Sequence, residues 1–419
     1  MAETCTRWDP QNFSACCGAS GRDPGNFWNG WLSGGACRAR ADPEINMQEL
    51  KIFQETEPLH EARWWETMFD GRVHCYLCPR HCHIAEGQAG FCFIRVNNGG
   101  KLYSLGYASP AALQIDPIEK KPLNHFLPGT RIFSLGTAGC NMGCSFCQNW
   151  DISKSKSDQV HSTHMPPEDV VALAIRYGCP SIAFTYNEPT IWAEYVIDIC
   201  RAAREAGVRT VMVTNGYVTR EAFHDIYDLV DAANVDLKGF TENFYGRVTL
   251  THLQPVLDVL TWLKQETNVW FEITNLLIPS LNDDPGELQR LSEWIMEHLG
   301  PDVPLHFTAF HPDFKLQDKP RTPPETLHAA RKIALDVGLH YVYEGNIHGG
   351  AADTNCPGCD KILVRRSWHE ILENRIQDGA CPQCKCTISG RWTNPSVANS
   401  PSIKQSADII SLKYDSLNL

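Results

Sequence analysis

The stretch "RIFSLGTAGCNMGCSFCQNW", Arg131 to Trp150, decides how the rest of the chain is read. Its first residues, RIFSLGT, form a short apolar run that predicts a β-strand. The loop that follows carries Cys140, Cys144 and Cys147 in a C-x3-C-x2-C run. A structural zinc site usually takes four ligands, commonly from two C-x2-C pairs, so three thiols on one loop leave a coordination position open.

Working outward, short β-rich runs alternate with amphipathic helical runs from Arg131 onward. PEDVVALAIRYG predicts a helix, with Pro166-Pro167 suited to its start. SIAFTY, RTVMVTNGY, ANVDLKGF, VWFEITNLLIP, PLHFTAF and YVYEG predict further strands, each separated from the next by a helical segment. Six or seven strands in βα alternation imply an α/β fold with parallel strands joined by right-handed crossovers, as a barrel or an open doubly wound sheet. Chemistry in such folds collects at the C-terminal ends of the strands. The cysteine loop, Tyr186-Asn187-Glu188-Pro189, Thr214-Asn215-Gly216, Asp236-Leu237-Lys238, Glu272 with Thr274 and Asn275, His306 with His311, and Gly345-Asn346 all fall on or after these strands.

Composition narrows the class. The 419 residues carry a formal charge of −12, which argues against a nucleic-acid partner, since phosphate affinity comes from Lys and Arg. No apolar run reaches the roughly 20 residues of a membrane span, and no signal-peptide pattern is present, so a cytoplasmic location is expected. In a reducing compartment, 18 cysteines point to metal rather than disulfides. Cys5, Cys16, Cys17 and Cys37 lack ligand-like spacing and lie in a Gly-, Ser- and Asn-rich segment, residues 1–46, that reads as disordered. Met47 opens a helix-like segment, MQELKIFQETEPLHEARWWETMF. Cys179 and Cys200 read as small apolar core residues.

Thiolates suit zinc and iron–sulfur clusters alike. A [4Fe–4S] cubane on three protein thiolates would keep one iron free. CNMGCSFC resembles the radical S-adenosylmethionine (SAM) signature, with aromatic Phe146 before the third cysteine, and it follows the first strand of a βα series as that family requires. The resemblance is strongest to enzymes like pyruvate formate-lyase activating enzyme. It implies a partial (β/α) barrel, a [4Fe–4S] cluster on Cys140, Cys144 and Cys147, and SAM on the open iron. It also implies reductive cleavage of SAM to a 5′-deoxyadenosyl radical that takes hydrogen from a substrate. Asn187 and Glu188 of TYNEP stand where the family holds the SAM amino group, in place of its Gly-Gly-Glu. Thr214 and Asn215 match the segment near the ribose and carboxylate, although Val213 stands where the activating enzymes have Asp. Asp236 and Lys238 match the Asp-x-Lys segment. His306 reads either as a SAM neighbour or as a satisfied core histidine.

Two cysteine-rich modules flank the barrel. Cys356-x2-Cys359 and Cys381-x2-Cys384, 21 residues apart, predict a closed four-cysteine site of zinc-ribbon or rubredoxin type, with zinc the first choice, a lone iron the second and Cys386 to spare. Cys75, Cys78, Cys82 and Cys92 give four more thiols, for which zinc and a second iron–sulfur cluster are both open and zinc is the first choice. With these flanks, residues 57–392 resemble the radical SAM member of the AmmeMemoRadiSam system, named for Memo-like and AMMECR-like partner proteins. The expected layout is a disordered leader (1–46), a helix and cysteine module (47–125), the barrel (126–348), the zinc-ribbon-like module (349–392) and a polar tail (393–419). The resemblance implies a low-potential electron donor such as flavodoxin or ferredoxin, and offers a protein as substrate. The competing reading is a non-catalytic metal-binding scaffold for partner proteins.

Overall fold

In the computed structural model of the chain, residues 59–392 are described. The expectations for residues 1–46, for 47–58 and for the tail from 393 lie outside that range. An eight-stranded sheet forms the centre. Its parallel strands are β1 (Arg131–Gly136), β2 (Ser181–Phe184), β3 (Arg209–Thr214), β4 (Ala232–Asp236), β5 (Trp270–Leu277), β6 (Leu305–Ala309) and β7 (Val342–Gly345). One long helix separates each pair: α1 (Pro167–Arg176), α2 (Ala193–Glu205), α3 (Arg220–Tyr227), α4 (Gln254–Glu266), α5 (Pro285–His298) and α6 (Pro324–Val337). Strand order follows chain order throughout. Right-handed crossovers in one unchanging direction put every helix on the same face, which is the winding of a (β/α) barrel rather than of a doubly wound sheet. Among the described residues the two sheet edges do not pair, so the barrel is partial.

Local sequence explains the helices. Pro167, Pro285 and Pro324 each occupy the first helical position, where a missing N–H costs nothing. Asp284 caps α5 by accepting from the Glu287 backbone N–H at 3.0 Å. Gly338, at φ +111°, ends α6 in the left-handed region.

Side chains alternate along the strands. Phe133, Leu135, Ile182, Phe184, Met212, Val235, Ile273 and Phe307 are buried in the main core with the apolar faces of the helices. Ile132, Ala183, Val211 and Ala232 sit in a second cluster with Ile118, Leu123, Phe126 and Leu127. The segment between the edge strand Ala112–Pro117 and β1 therefore plugs the interior near the strand starts. The edge strand pairs antiparallel with β1. The barrel sheet thus begins at Ala112, earlier than the boundary of 126 expected from the sequence.

Residues 59–104 are not helical, contrary to the segment expected to begin at Met47. The chain forms short strands there, including His60–Glu61 and Trp65–Thr67, within two three-stranded antiparallel sheets. Trp64 is buried between them at φ +58°, a backbone state no helix contains. Three further strands, Thr354–Asn355, Ile362–Ser367 and Glu370–Asn374, build the C-terminal module. It docks at the strand starts through Tyr341, Tyr343, Leu363 and Ile388, and Arg366 Nη2 donates to the Asn124 carbonyl at 2.7 Å. No helix among the described residues is long and apolar enough to cross a membrane.

The N-terminal module is tied to α2 by a buried ion pair. Arg95 Nη1 donates to both carboxylate oxygens of Glu194 at 3.0 and 3.1 Å, and the Arg63 backbone N–H donates to Glu194 at 2.7 Å. Both charged side chains are 2% exposed. Removing one partner strands the other charge, so Arg95→Ala should cost about 3–5 kcal/mol in urea unfolding. The double variant Arg95→Met/Glu194→Leu should recover most of that loss. A double variant no more stable than Arg95→Ala would show that the two residues do not act as a pair.

Candidate active site

The cysteine loop leaves β1 at Gly136 and is held from several directions. The backbone N–H groups of Gly143 and Ser145 donate to Thr249 and Val248 carbonyls at 2.7 and 3.0 Å. Gly139 N–H donates to the Ile152 carbonyl, and Lys154 Nζ to the Met142 carbonyl at 2.6 Å. Cys144 is buried, while Cys140 and Cys147 are half-buried. Burial pushes the Cys140 thiol up to about 12 with Lys154 opposing. It raises Cys144 as well, against Lys238 and Lys154. A metal must therefore displace protons from these thiols on binding.

The loop's position is fixed by three consecutive residues after β2. Tyr186 adopts φ +71° and accepts the Asn149 side-chain amide on its carbonyl at 2.8 Å. The Asn187 oxygen accepts from the Thr137 N–H at 3.1 Å, and its amide donates to Thr137 Oγ1, Ala138 O and Gly139 O at 2.9–3.1 Å. Glu188 Oε1 accepts from Thr190 N–H (3.0 Å), Thr190 Oγ1 (2.6 Å) and Thr214 Oγ1 (2.7 Å), and Oε2 accepts from Asn215 N–H (2.7 Å). Four donors fill the acceptor sites of a carboxylate. Burial pushes the Glu188 carboxyl upward, and these donors pull it back.

Asn215 then reaches the cysteine loop. Its amide donates to Asn141 Oδ1 at 2.9 Å and lies 4.0 Å from Cys140 Sγ. Asp236, at the end of β4, pairs with Lys238 at 2.8 Å. Burial works against the Lys238 cation, but Asp236 and the Cys144 sulfur outweigh it and hold its pKa above the ordinary lysine value. Lys238 Nζ lies 5.7 Å from the centre of the buried Phe146 ring. Cys140, Cys144, Cys147, Phe146, Asn187, Glu188, Thr214, Asn215, Asp236 and Lys238 thus gather at one end of the sheet. His306 does not join them. It is the second residue of β6, 2.7 Å from Glu272 Oε2 and stacked on Tyr343. Glu272 also accepts from the backbone N–H groups of Asn124 and His125. This places His306 toward the strand starts, where the C-terminal module docks.

A profile of the radical SAM superfamily matches residues 134–291, which contain the cysteine loop and the strand ends just described. Residues 134–291 form a radical SAM superfamily domain. It is 45% identical over 329 residues to an uncharacterized protein of Methanocaldococcus jannaschii, covering 78% of this chain and 98% of that one. It is 27% identical over 181 residues to a pyruvate formate-lyase-activating enzyme of Listeria monocytogenes, covering 40% of this chain and 70% of that enzyme. With the pyruvate formate-lyase 1-activating enzyme of Escherichia coli it shares 25% over 179 residues, 40% of this chain and 69% of that enzyme. Radical SAM proteins carry a [4Fe–4S] cluster and SAM. The donor set fits such a cluster: three thiols on one loop, cationic Lys154 and Lys238 beside them, and sulfurs that do not close into a compact group.

Compactness separates the radical SAM loop from the C-terminal cysteines. The ligand atoms of Cys356, Cys359, Cys381 and Cys384 all lie within 4.8 Å of one another, the one such group of three or more metal-ligating side chains found among the described residues. Cys356 and Cys384 sulfurs are 3.4 Å apart, and Cys359 and Cys381 sulfurs 3.8 Å. Asp360 and Lys385, at φ +55° and +64°, turn the two knuckles. Cys386 stays outside the group and points its thiol at the Thr387 carbonyl.

Sequence reading missed a further cluster inside the barrel. Asp116 Oδ2 accepts from Lys121 Nζ (2.6 Å) and Tyr186 Oη (2.9 Å), and Oδ1 accepts from Lys120 Nζ (2.8 Å). Burial raises Asp116, yet Lys121 and Lys120 overcome it and bring it down to about 2. Burial lowers Lys121 to about 8, against Asp116. The Lys120-Lys121 pair ahead of an apolar plug was the available signal.

If Glu188 acts through its bonds to the chain, Glu188→Gln must turn an amide N–H toward groups that themselves donate. The reconstituted protein without SAM should then lose about 1–3 kcal/mol of stability in thermal or urea unfolding. Unchanged stability alongside weakened SAM binding would instead assign Glu188 to the ligand.

Proposed function

We propose that the chain is a radical SAM enzyme of the activating-enzyme type, one that takes a hydrogen atom from a substrate that is itself a protein. The observation that carries this reading is the three-thiol loop at the C-terminal end of β1, braced by Tyr186, Asn187 and Glu188. Cys140, Cys144 and Cys147 would hold the cluster. When bound, it supplies the electron for reductive cleavage of SAM to methionine and a 5′-deoxyadenosyl radical able to abstract hydrogen.

The chain's own residues do the rest. Lys154 and Lys238 offset the negative charge that the thiols acquire on losing their protons. Thr214, Asn215, Asp236 and Lys238 offer polar contacts for SAM. Asn187 and Glu188 are positioning residues, because their hydrogen-bonding capacity is spent on residues 137–139, 190, 214 and 215. Phe146, buried against Phe244, helps to keep water from the reacting centre. Reduction calls for a low-potential donor of the flavodoxin or ferredoxin class.

The C-terminal four-cysteine group is assigned to zinc, since Zn–S bonds of about 2.3 Å in a tetrahedron set sulfurs roughly 3.8 Å apart. The likeness of the activating enzymes supports a protein substrate, and the flanking cysteine modules support the AmmeMemoRadiSam lineage with Memo-like and AMMECR-like partners. The polar residues gathered at the strand ends favour an enzyme over a scaffold, which has no need of a half-buried Asp236–Lys238 pair beside its cysteines.

Anaerobically reconstituted protein given SAM and dithionite should release 5′-deoxyadenosine, measured by chromatography. Cys140→Ala should release none above background. Equal amounts from the two proteins would remove the enzymatic reading.

A further inference from the structure

Cys75, Cys78, Cys82 and Cys92 are used by nothing described so far. Cys75 and Cys82 face each other across the antiparallel pair Val73–Cys75 and Cys82–Ile84. Cys78 sits in the turn between those strands, closed by a bond from the His81 N–H to the Cys78 carbonyl. Cys92 comes in from the Gly90–Phe93 turn, with Gly90 packed on Cys82: a Cβ there would lie 3.5 Å from the Cys82 sulfur. All four cysteines, together with Arg80, Arg95 and Asn141, line one cavity of about 10 Å³.

Charge does not choose an occupant, because zinc and an iron–sulfur cluster on four thiolates are both anionic, and Arg80 and Arg95 suit either. Size does choose. A zinc tetrahedron puts its sulfurs about 2.3 Å from the centre, leaving no room for water there. The C-terminal group meets that demand. The N-terminal four do not: among the described residues, no three of them bring their sulfurs within 4.8 Å of one another. Between them lies instead a space that admits the centre of a water-sized sphere, at the threshold for a cavity that can hold a molecule. The same openness marks the Cys140–Cys147 loop. A cubane, with an iron at each of four separated corners, spreads its ligand sulfurs in this way.

From this geometry we infer that Cys75, Cys78, Cys82 and Cys92 hold a second [4Fe–4S] cluster, fully ligated by protein, and that the chain carries two iron–sulfur clusters and one closed four-cysteine metal site. The second cluster sits against the barrel loop. Gly139, next to Cys140, has φ +80°, and a Cβ on it would fall 2.0 Å from the Cys92 carbonyl oxygen, so only glycine fits. Arg80 bridges the two, donating from Nε to the Asn141 carbonyl and from Nη2 to the Leu250 carbonyl at 2.7 Å. Asn141 therefore belongs to the wall of one site and to the ligand loop of the other.

The test counts metals and does not depend on SAM cleavage. Protein produced with both iron and zinc supplied, then reconstituted anaerobically, should contain about eight irons and one zinc per chain. The triple variant Cys140→Ala/Cys144→Ala/Cys147→Ala should keep about four irons and one zinc. After dithionite reduction it should show a [4Fe–4S] electron paramagnetic resonance signal that added SAM leaves unchanged. Adding Cys78→Ser and Cys82→Ser should abolish that signal. A triple variant with no iron and a second zinc overturns the inference. Should the triple variant not fold, the wild type decides: about eight irons and two reduced signals, of which SAM shifts one, support it, whereas about four irons and two zincs overturn it. Iron retained in the triple variant by a protein that makes no 5′-deoxyadenosine would sink the proposed reaction and leave the second cluster standing.

Discussion

The buried carboxylate of Glu188 is the constraint on which the site depends. A carboxylate taken from water is costly unless donors replace the solvent. Here the donors come from Thr190, Thr214 and Asn215, on the segments that follow β2 and β3. The cost of burial thereby forces two strand ends into one register. Asn187, its neighbour, does the same for the residues that leave β1. Tyr186 completes the brace, its hydroxyl on Asp116 from the edge strand and its carbonyl under the Asn149 amide. Three successive residues therefore lock the mouth of the barrel, and the cysteine loop inherits its rigidity from them.

The flanking modules occupy opposite ends of the barrel. The C-terminal module meets the strand starts, where His125 Nδ1 donates to the Ser389 carbonyl and Nε2 accepts from the Tyr343 hydroxyl, and where the Leu127 and Arg391 backbone N–H groups donate to the Arg391 and His125 carbonyls. The N-terminal module meets the strand ends, where the Thr219 hydroxyl and N–H reach the carbonyls of Tyr76 and Leu77. The N-terminal module buries its apolar residues in the main core, and the C-terminal module shares a small cluster with Tyr341 and Tyr343; metal binding supplies further folding energy to small modules of this kind. The difference in sulfur spacing between them also separates a compact site suited to structure from open sites suited to electron chemistry.

Much of the barrel could be read from the sequence because its signals are local. Strand and helix periods, prolines at helix starts and the spacing of the C-terminal knuckles need only near neighbours. What failed depends on partners distant in the chain. The EARWW stretch, residues 61–65, suits a helix or a strand by local composition, and the pairing of Trp65 with Cys75 decides for strand. His306 was left between two readings because its partner, Glu272, lies 34 residues away and becomes adjacent only through the β5–β6 register. Asp116 and Tyr186, 70 residues apart, are likewise joined only by the fold. For the N-terminal cysteines, spacing told how many ligands there are and left open how far apart the fold would hold them.

The Asp116 cluster shows how a costly group can serve a distant one. A buried ion pair is weak evidence for stability, since desolvation consumes most of its attraction. With Asp116 near 2 and Lys121 near 8, both groups stay charged at neutral pH. What the pair provides is a fixed acceptor for the Tyr186 hydroxyl, beneath a residue whose positive φ is unfavourable for a tyrosine. That backbone turn is what aims Asn187 at the cysteine loop and Glu188 at β3. The interior charge therefore holds a strained turn in place, and the strained turn sets the position of the thiols.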